Sequence, residues 1–190
     1  AGIPFRVPEP EEFPARLEAV REAVYGAFAL DWLGGQGELT KEAFFLSTGL
    51  AELAPDDPEA LGLTALIGFI EARRDARVRD GILVPVPEQD MDLWDQGMIL
   101  RSASVLTKAS EARSPGRFQL EAAIQSVHAA RSQTGKTDWR AVSMRYMGLM
   151  QIYPTIGGAV SQAACVGEDV GPAEGLAMLS RIAIDGIATF

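Results

Sequence analysis

The sequence predicts an all-α fold of about eight helices, stacked as antiparallel hairpins. Apolar residues recur at three- and four-residue spacing along most of the chain, giving each segment one stripe for a helix face. The two-residue alternation of a half-buried strand never persists long enough to build a sheet. Two segments open on a helix-start signature, a capping Asp or Ser followed directly by proline.

The opening "AGIPFRVPEP" carries three prolines and reads as an extended lead-in over residues 1–10. From Glu11, the positions Phe13, Leu17, Val20, Val24 and Phe28 mark one face of a helix running to about Leu30. "DWLGGQGEL" interrupts it with three glycines, and Thr40 is the expected cap of a second helix bearing Phe44, Leu50 and Leu53. In "PDDPEA", Asp57 caps, Pro58 takes the first helical position where its missing N–H costs nothing, and Glu59 favours the positive helix end. Leu61, Ala65, Leu66, Phe69 and Ile70 follow, before the segment turns polar and stops near Gly81. "ILVPVPE" reads as an extended connector. Asp90 is expected to cap a long helix whose Trp94, Met98, Val105 and Leu106 face a core. Ser114-Pro115 opens the next, with Leu120, Ala123, Ile124 and Val127 on one side. Asp138, or Thr137 before it, caps another with Trp139, Val142, Tyr146, Leu149 and Tyr153, ended by Pro154. Two more are expected over about 156–166 and 172–184, separated by Gly167 and Gly171.

The last three helix starts fall about 17 residues apart, half the roughly 34-residue period of a tetratricopeptide helix pair. Trp139, Val142, Ser143 and Tyr146 stand at that repeat's offsets, whereas Thr155, Ala159 and Gly167 depart from it. The expected architecture is therefore a tetratricopeptide-like right-handed array without a regular repeat.

The net charge of −9 opposes direct binding of nucleic acid, whose phosphates are held by cations. The basic run Arg73, Arg74, Arg77 and Arg79 reads as a solvated helix face with Glu71 and Asp75 beside it, and Arg73, Arg74 and Arg77 as candidate partner contacts. No apolar run is long enough to span a bilayer, and the single Cys165 pairs with nothing inside the chain. These features predict a soluble, cytoplasmic protein.

"ARSQTGKTDW" nearly matches a nucleotide-binding loop, but Ala130 stands where the first glycine belongs. Such a loop needs a buried strand to deliver it, and the preceding "QLEAAIQSVHAA" has helical periodicity. "SQTGK" is thus expected to be an interhelical loop. His128 is the lone histidine and lies on an apolar helix side, which predicts a core or half-buried ring bonded to a carbonyl. One His and one Cys cannot make a zinc site. Asp56, Asp57, Asp90 and Asp138 have capping or turn explanations, and Cys165 sits among small residues as a packed thiol. No enzyme activity and no cofactor are predicted.

Six segments, "IPFRVPEPEEFPARLEAV", "LAELAPDDPEALGLTALIGFIEARRDARV", "PEQDMDLWDQGMI", "GRFQLEAAIQSVHAA", "TDWRAVSMRYMGLMQIYPT" and "GPAEGLAMLSRI", occur in this order. Together they resemble the helical, tetratricopeptide-like C-terminal extension of a group of extracytoplasmic-function (sigma-24-like) RNA polymerase sigma factors. Asp90, Trp94, Gln119, His128, Trp139 and Tyr146 are the motif and core anchors within that resemblance. The chain departs from the group in "YGAFALDWLGGQGEL", at Met91, and at Arg101 and Ser102.

The resemblance implies that residues 1–10 are a linker from a sigma-type DNA-binding part before Ala1, and that 11–190 are a helical domain continuing past Phe190. It implies a regulatory role in transcription initiation, exerted on the other sigma domains, core polymerase or a further regulator, with no DNA or membrane contact by this segment. The alternative expectation is a sensing or enzymatic domain holding a small ligand between helices near Trp94, His128 and Trp139.

Overall fold

Asp57 starts a helix that is buried on every side. In the computed structural model, which describes residues 9–32 and 38–187, its carboxylate accepts the Glu59 and Ala60 N–H groups at 2.9 and 3.0 Å. Pro58 occupies the first turn, as expected. Every residue from Ala60 to Phe69 is buried, so apolar and small side chains are needed all round.

The described residues are predominantly helical, with almost no strand. The helices are α1 (Phe13–Trp32), α2 (Glu38–Leu53), α3 (Pro58–Glu71), α4 (Gln96–Ser110), α5 (Arg117–Ala129), α6 (Arg131–Thr134, a single turn), α7 (Trp139–Ile152), α8 (Ile156–Asp169) and α9 (Pro172–Ile187). A two-residue antiparallel hairpin, Val78–Arg79 with Ile82–Leu83, is the one strand pairing among them. Asp80 and Gly81 turn it with positive φ at both positions, the hairpin geometry that favours glycine.

α3 is the hub. It packs against α1 and α2 on one side and along α4 and α5 on the other. Gly62 and Gly68 permit that closeness: a Cβ at Gly62 would stand 2.7 Å from the Gln119 N, and one at Gly68 only 2.3 Å from the Ser102 Oγ. Thr64 ties α3 to α2 by donating to the Ser47 carbonyl at 2.8 Å. From α5 the chain continues outward, α7 on α5, α8 on α7 and α9 on α8. The core follows this order. A large cluster around α3 holds Val24, Phe28, Leu63, Leu66, Phe69 and Trp94, and a smaller one joins Ile124, Val142, Leu149 and Cys165.

Several expected boundaries move. Residues 1–8 of the lead-in and 33–37 of the glycine-rich interruption lie outside the described residues. Phe13, Val20 and Leu53 face solvent instead of a core; α1 and α2 meet the core through Val24, Tyr25, Phe28, Ala43 and Phe44. Thr40 does not cap α2; it lies within the first turn, where its N–H and hydroxyl donate to Asp31 at 2.9 and 2.7 Å. α3 ends at Glu71, ten residues before Gly81. Asp90 caps only a short turn, Met91–Leu93, and Asp95 caps α4, so Trp94 lies between the two caps rather than on a helix. α8 and α9 each run three residues past their expected ends.

Ser114-Pro115 does not start α5 either. Gly116 holds the cap position without a side chain, and the cap is supplied from α3. The Glu59 carboxylate accepts the Phe118 and Gln119 N–H groups at 2.8 and 3.1 Å, and the Gln119 side chain donates to Glu59 at 3.2 Å and to the Ser114 carbonyl at 2.9 Å. A carboxylate at a helix N-terminus satisfies free donors and meets the positive end of the dipole. Glu59→Ala should therefore lower the unfolding free energy by about 1–2 kcal/mol, with Glu59→Gln losing less. Urea denaturation checks this, and an unchanged midpoint would mean that α5 needs no cap from α3.

Candidate functional site

Two adjoining concavities among the described residues meet at Ile70 of α3 and Gln125 of α5. The first forms where the chain leaves α3 and turns into the hairpin. Arg73 follows immediately after the helix, only 5% exposed, under the C-terminal turn of α3, the Trp94 ring and α5. Its Nε donates to the Phe69 carbonyl at 3.3 Å, its Nη2 donates to the Gln125 side-chain oxygen, and the guanidinium stands 5.6 Å from the Trp94 ring centre. Burial pulls its pKa down to about 10, so it stays charged near neutrality. No carboxylate among the described residues pairs with it, and its Nη1 is buried with no hydrogen-bond partner.

This overturns the expectation that Arg73 belongs to a solvated helix face. The basic run does not continue α3, so the first arginine after the helix falls inward. Arg74 behaves as expected, donating to Glu71 at 2.8 Å, while Arg77 is half-buried and its pKa is lowered by burial and by the like charge of Arg74. Arg73, Arg77, Gln89 and Gln125 supply the polar lining of a cavity of about 350 Å³, with Leu83 and Val86 among its apolar walls.

His128 and Trp139 meet edge to face, with ring centres 5.7 Å apart. Burial, then the charge of Arg73, lower the His128 pKa to about 4, leaving a neutral ring of weak basicity. Its Nδ1 has no partner, so the carbonyl bond expected for it is not made. Trp94 is buried and Trp139 half-buried. The three residues are linked through Arg73, and none of them lines either concavity.

The second concavity is a groove of about 660 Å³ among α1, α3, α5, α7 and α8. It exists because α8 packs along α7 and α9 rather than along α5. Tyr25, Phe28, Tyr146, Leu149 and Tyr153 give it an aromatic, apolar lining, with Glu121 on one side. Burial raises the hydroxyl pKa of Tyr25 and Tyr146 and the carboxyl pKa of Glu121, marking a weakly hydrated lining. Arg117 clasps one end, pairing with Glu22 at 2.8 Å and Glu121 at 2.9 Å beneath the Tyr153 and Tyr25 rings, 3.9 and 4.6 Å away. Sequence reasoning missed Arg117 and placed Glu59 only at the start of its own helix, since Glu22 and the N-terminus of α5 are distant from them in the chain.

The remaining candidates have structural roles. Gln119 is buried in the α3–α5 junction, and Asp90 holds its short turn by accepting the Asp92 N–H at 3.1 Å. Asp138, not Thr137, caps α7. "SQTGK" carries all but the first residue of the helical turn α6 and ends it with Gly135 at φ 72°; helix α5, not a strand, precedes it. Burial and then the charge of Glu168 push the Cys165 thiol up to about 11, so it is protonated and unreactive near neutrality. No group of acidic, His or Cys residues that could hold a metal occurs among the described residues, and none of their helices is long and apolar enough to cross a membrane.

A family of unknown function, DUF6596, matches residues 16–110, half of the chain. The chain belongs to that family. The DUF6596 match runs from α1 through the end of α4, so it includes α3, Arg73 and the hairpin and stops before the groove's α5, α7 and α8 walls. An uncharacterized protein of Rhizobium meliloti (strain 1021) is 34% identical over 189 residues, an alignment covering 96% of this chain. The chain spans 45% of that relative's length. No solved structure matches.

The depressed His128 pKa predicts a pH dependence. The unfolded ring, near 6.5, binds protons that the folded ring refuses until about pH 4. Stability from this group is intact above pH 6.5 and is lost as pH falls towards 4, by up to about 3 kcal/mol. Unfolding free energies at pH 7 and pH 5 should therefore converge in His128→Phe relative to the unmodified chain, and parallel profiles would contradict the half-buried, neutral ring.

Proposed function

We propose that this chain is the regulatory, protein-binding domain of a longer protein of the extracytoplasmic-function sigma-factor type, acting in transcription initiation. The groove bounded by α5, α7 and α8 is the observation that carries the binding half of this reading. Apolar, aromatic grooves between helices receive the apolar face of a partner helix or an extended segment. The surplus of negative charge favours a partner with basic groups around its apolar anchor. The order of the six sequence segments carries the sigma-factor half. The tetratricopeptide-like reading draws support from the hairpin order α1–α2, α3–α4, α5–α7 and α8–α9, with α1, α3 and α5 side by side.

More than half of the Rhizobium relative lies outside the matched part. On this reading, promoter- and polymerase-binding domains belong in such additional length, and the groove receives a segment of those domains or of polymerase. The acidic helical domain itself makes no promoter contact.

Gly157 offers a clean test. It lines the groove, is exposed, and has nothing within 4 Å of where a Cβ would stand. In the longer protein with purified polymerase and its cognate promoter, Gly157→Trp should shift transcript yield in the same direction as deleting the whole domain, while the melting temperature stays unchanged. A deletion effect that Gly157→Trp fails to reproduce would move the contact elsewhere. No effect from either change would end the regulatory reading.

A further inference from the structure

The cavity at Arg73 adjoins the groove across Ile70 and Gln125 but has its own chemistry. A guanidinium taken out of water costs free energy unless its donors are matched and its charge is balanced. Arg73 is matched only in part. Nε and Nη2 have neutral acceptors, a ring face lies nearby, and Nη1 has no acceptor. Arg77 is the other charged residue in the cavity lining, so both charges there are positive. Gln89 adds an unmatched atom of opposite sense: its Nε2 donates to the Val84 carbonyl at 3.0 Å, but its buried Oε1 accepts from nothing.

A lining with two cations, an unused donor, an unused acceptor and apolar walls defines a complement. It wants an anionic acceptor for Arg73, a neutral O–H or N–H donor for Gln89, and a short apolar body against Leu83 and Val86. An ammonium group in the donor's place would be repelled by the two arginines. A carboxylate suits the planar fork of a guanidinium. The volume of about 350 Å³ suits a small molecule and is at the lower end for ligand pockets.

The geometry points to a binding site for a small organic acid that carries a hydroxyl or amide N–H beside its carboxylate, with Arg73 as the anchoring cation and Gln89 as the acceptor. Gln125 holds the guanidinium from α5, so occupancy of the site is coupled to the α3–α5 contact. The site shares Ile70 and Gln125 with the groove as a common wall, whereas the two arginines, Gln89 and the hairpin residues line it alone.

The test uses 2-hydroxyhexanoate as probe, followed by heteronuclear NMR of the whole chain, with 2-hydroxyhexanamide and inorganic phosphate as comparison arms. Saturable shifts at millimolar or tighter affinity are expected at Val84, Val86 and Gln89, with 2-hydroxyhexanamide binding at least about tenfold more weakly because it lacks the charge. Arg73→Met should lose the response. Leu83 lines the cavity but is 64% exposed, so Leu83→Glu keeps the fold and should weaken binding about tenfold or more by placing a competing carboxylate at the mouth. Equal binding of acid and amide, an undiminished response in Leu83→Glu, response to phosphate alone, or no saturable shift from the probe would each overturn the site.

Discussion

The burial of α3 on all sides is the constraint from which the rest of the structure follows. A helix with no solvent face must be surrounded, and here α1, α2, α4 and α5 do the surrounding. Each fully buried Leu, Ile or Phe on it is worth about 1.5–3 kcal/mol relative to exposure, so Leu63, Leu66, Ile67 and Phe69 dominate the apolar gain of the larger core. Small residues at Gly62 and Gly68 are the counterpart of that gain, since they let two neighbouring helices reach the α3 backbone.

Both ends of α3 are polar, and each end organises something beyond itself. At the N-terminus, Asp57 caps α3 and pairs with Arg21 of α1, while Glu59 caps α5. One acidic turn thereby sets the relation of three helices. At the C-terminus, Ala72 accepts the Asp95 N–H at 2.8 Å, which brings Trp94 over Arg73 and starts α4. The partly matched guanidinium is expensive for stability alone, and that expense is what sets the Arg73 cavity apart from an ordinary surface dimple. Beside α5, the splay of α8 away from it opens the groove onto α1 and α3.

Local signals were legible in the sequence and non-local ones were not. Asp57-Pro58 states a helix start within three residues, so α3 is placed at its true beginning. Asp138 and the helical period ahead of "SQTGK" are local in the same way. Ser114-Pro115 looks identical to a start, yet α5 waits until Arg117 because its cap arrives from Glu59, nearly sixty residues earlier. Asp90 and Asp95 are both capping residues, and choosing between them depends on where Trp94 must reach. Arg73 was misjudged by a sound average rule, that arginines in a charged run face water; only the end of α3 at Glu71 turns it inward. The groove residues Tyr25, Tyr146 and Tyr153 have ordinary helical-stripe spacing, and nothing in that spacing says that α8 would leave them uncovered.

If α3 is the hub, its amide hydrogens are the last to exchange. Backbone groups that open only when the whole molecule unfolds exchange with the global free energy, whereas peripheral helices open locally at lower cost. Native-state hydrogen exchange across a series of low denaturant concentrations reads this directly. The account predicts that amides from Leu61 to Phe69 exchange only through global unfolding, with α8 and α9 opening well before them. Exchange of α3 at the rate of α8 and α9, or a slowest-exchanging set located in α7 instead, would contradict the central place given to this helix.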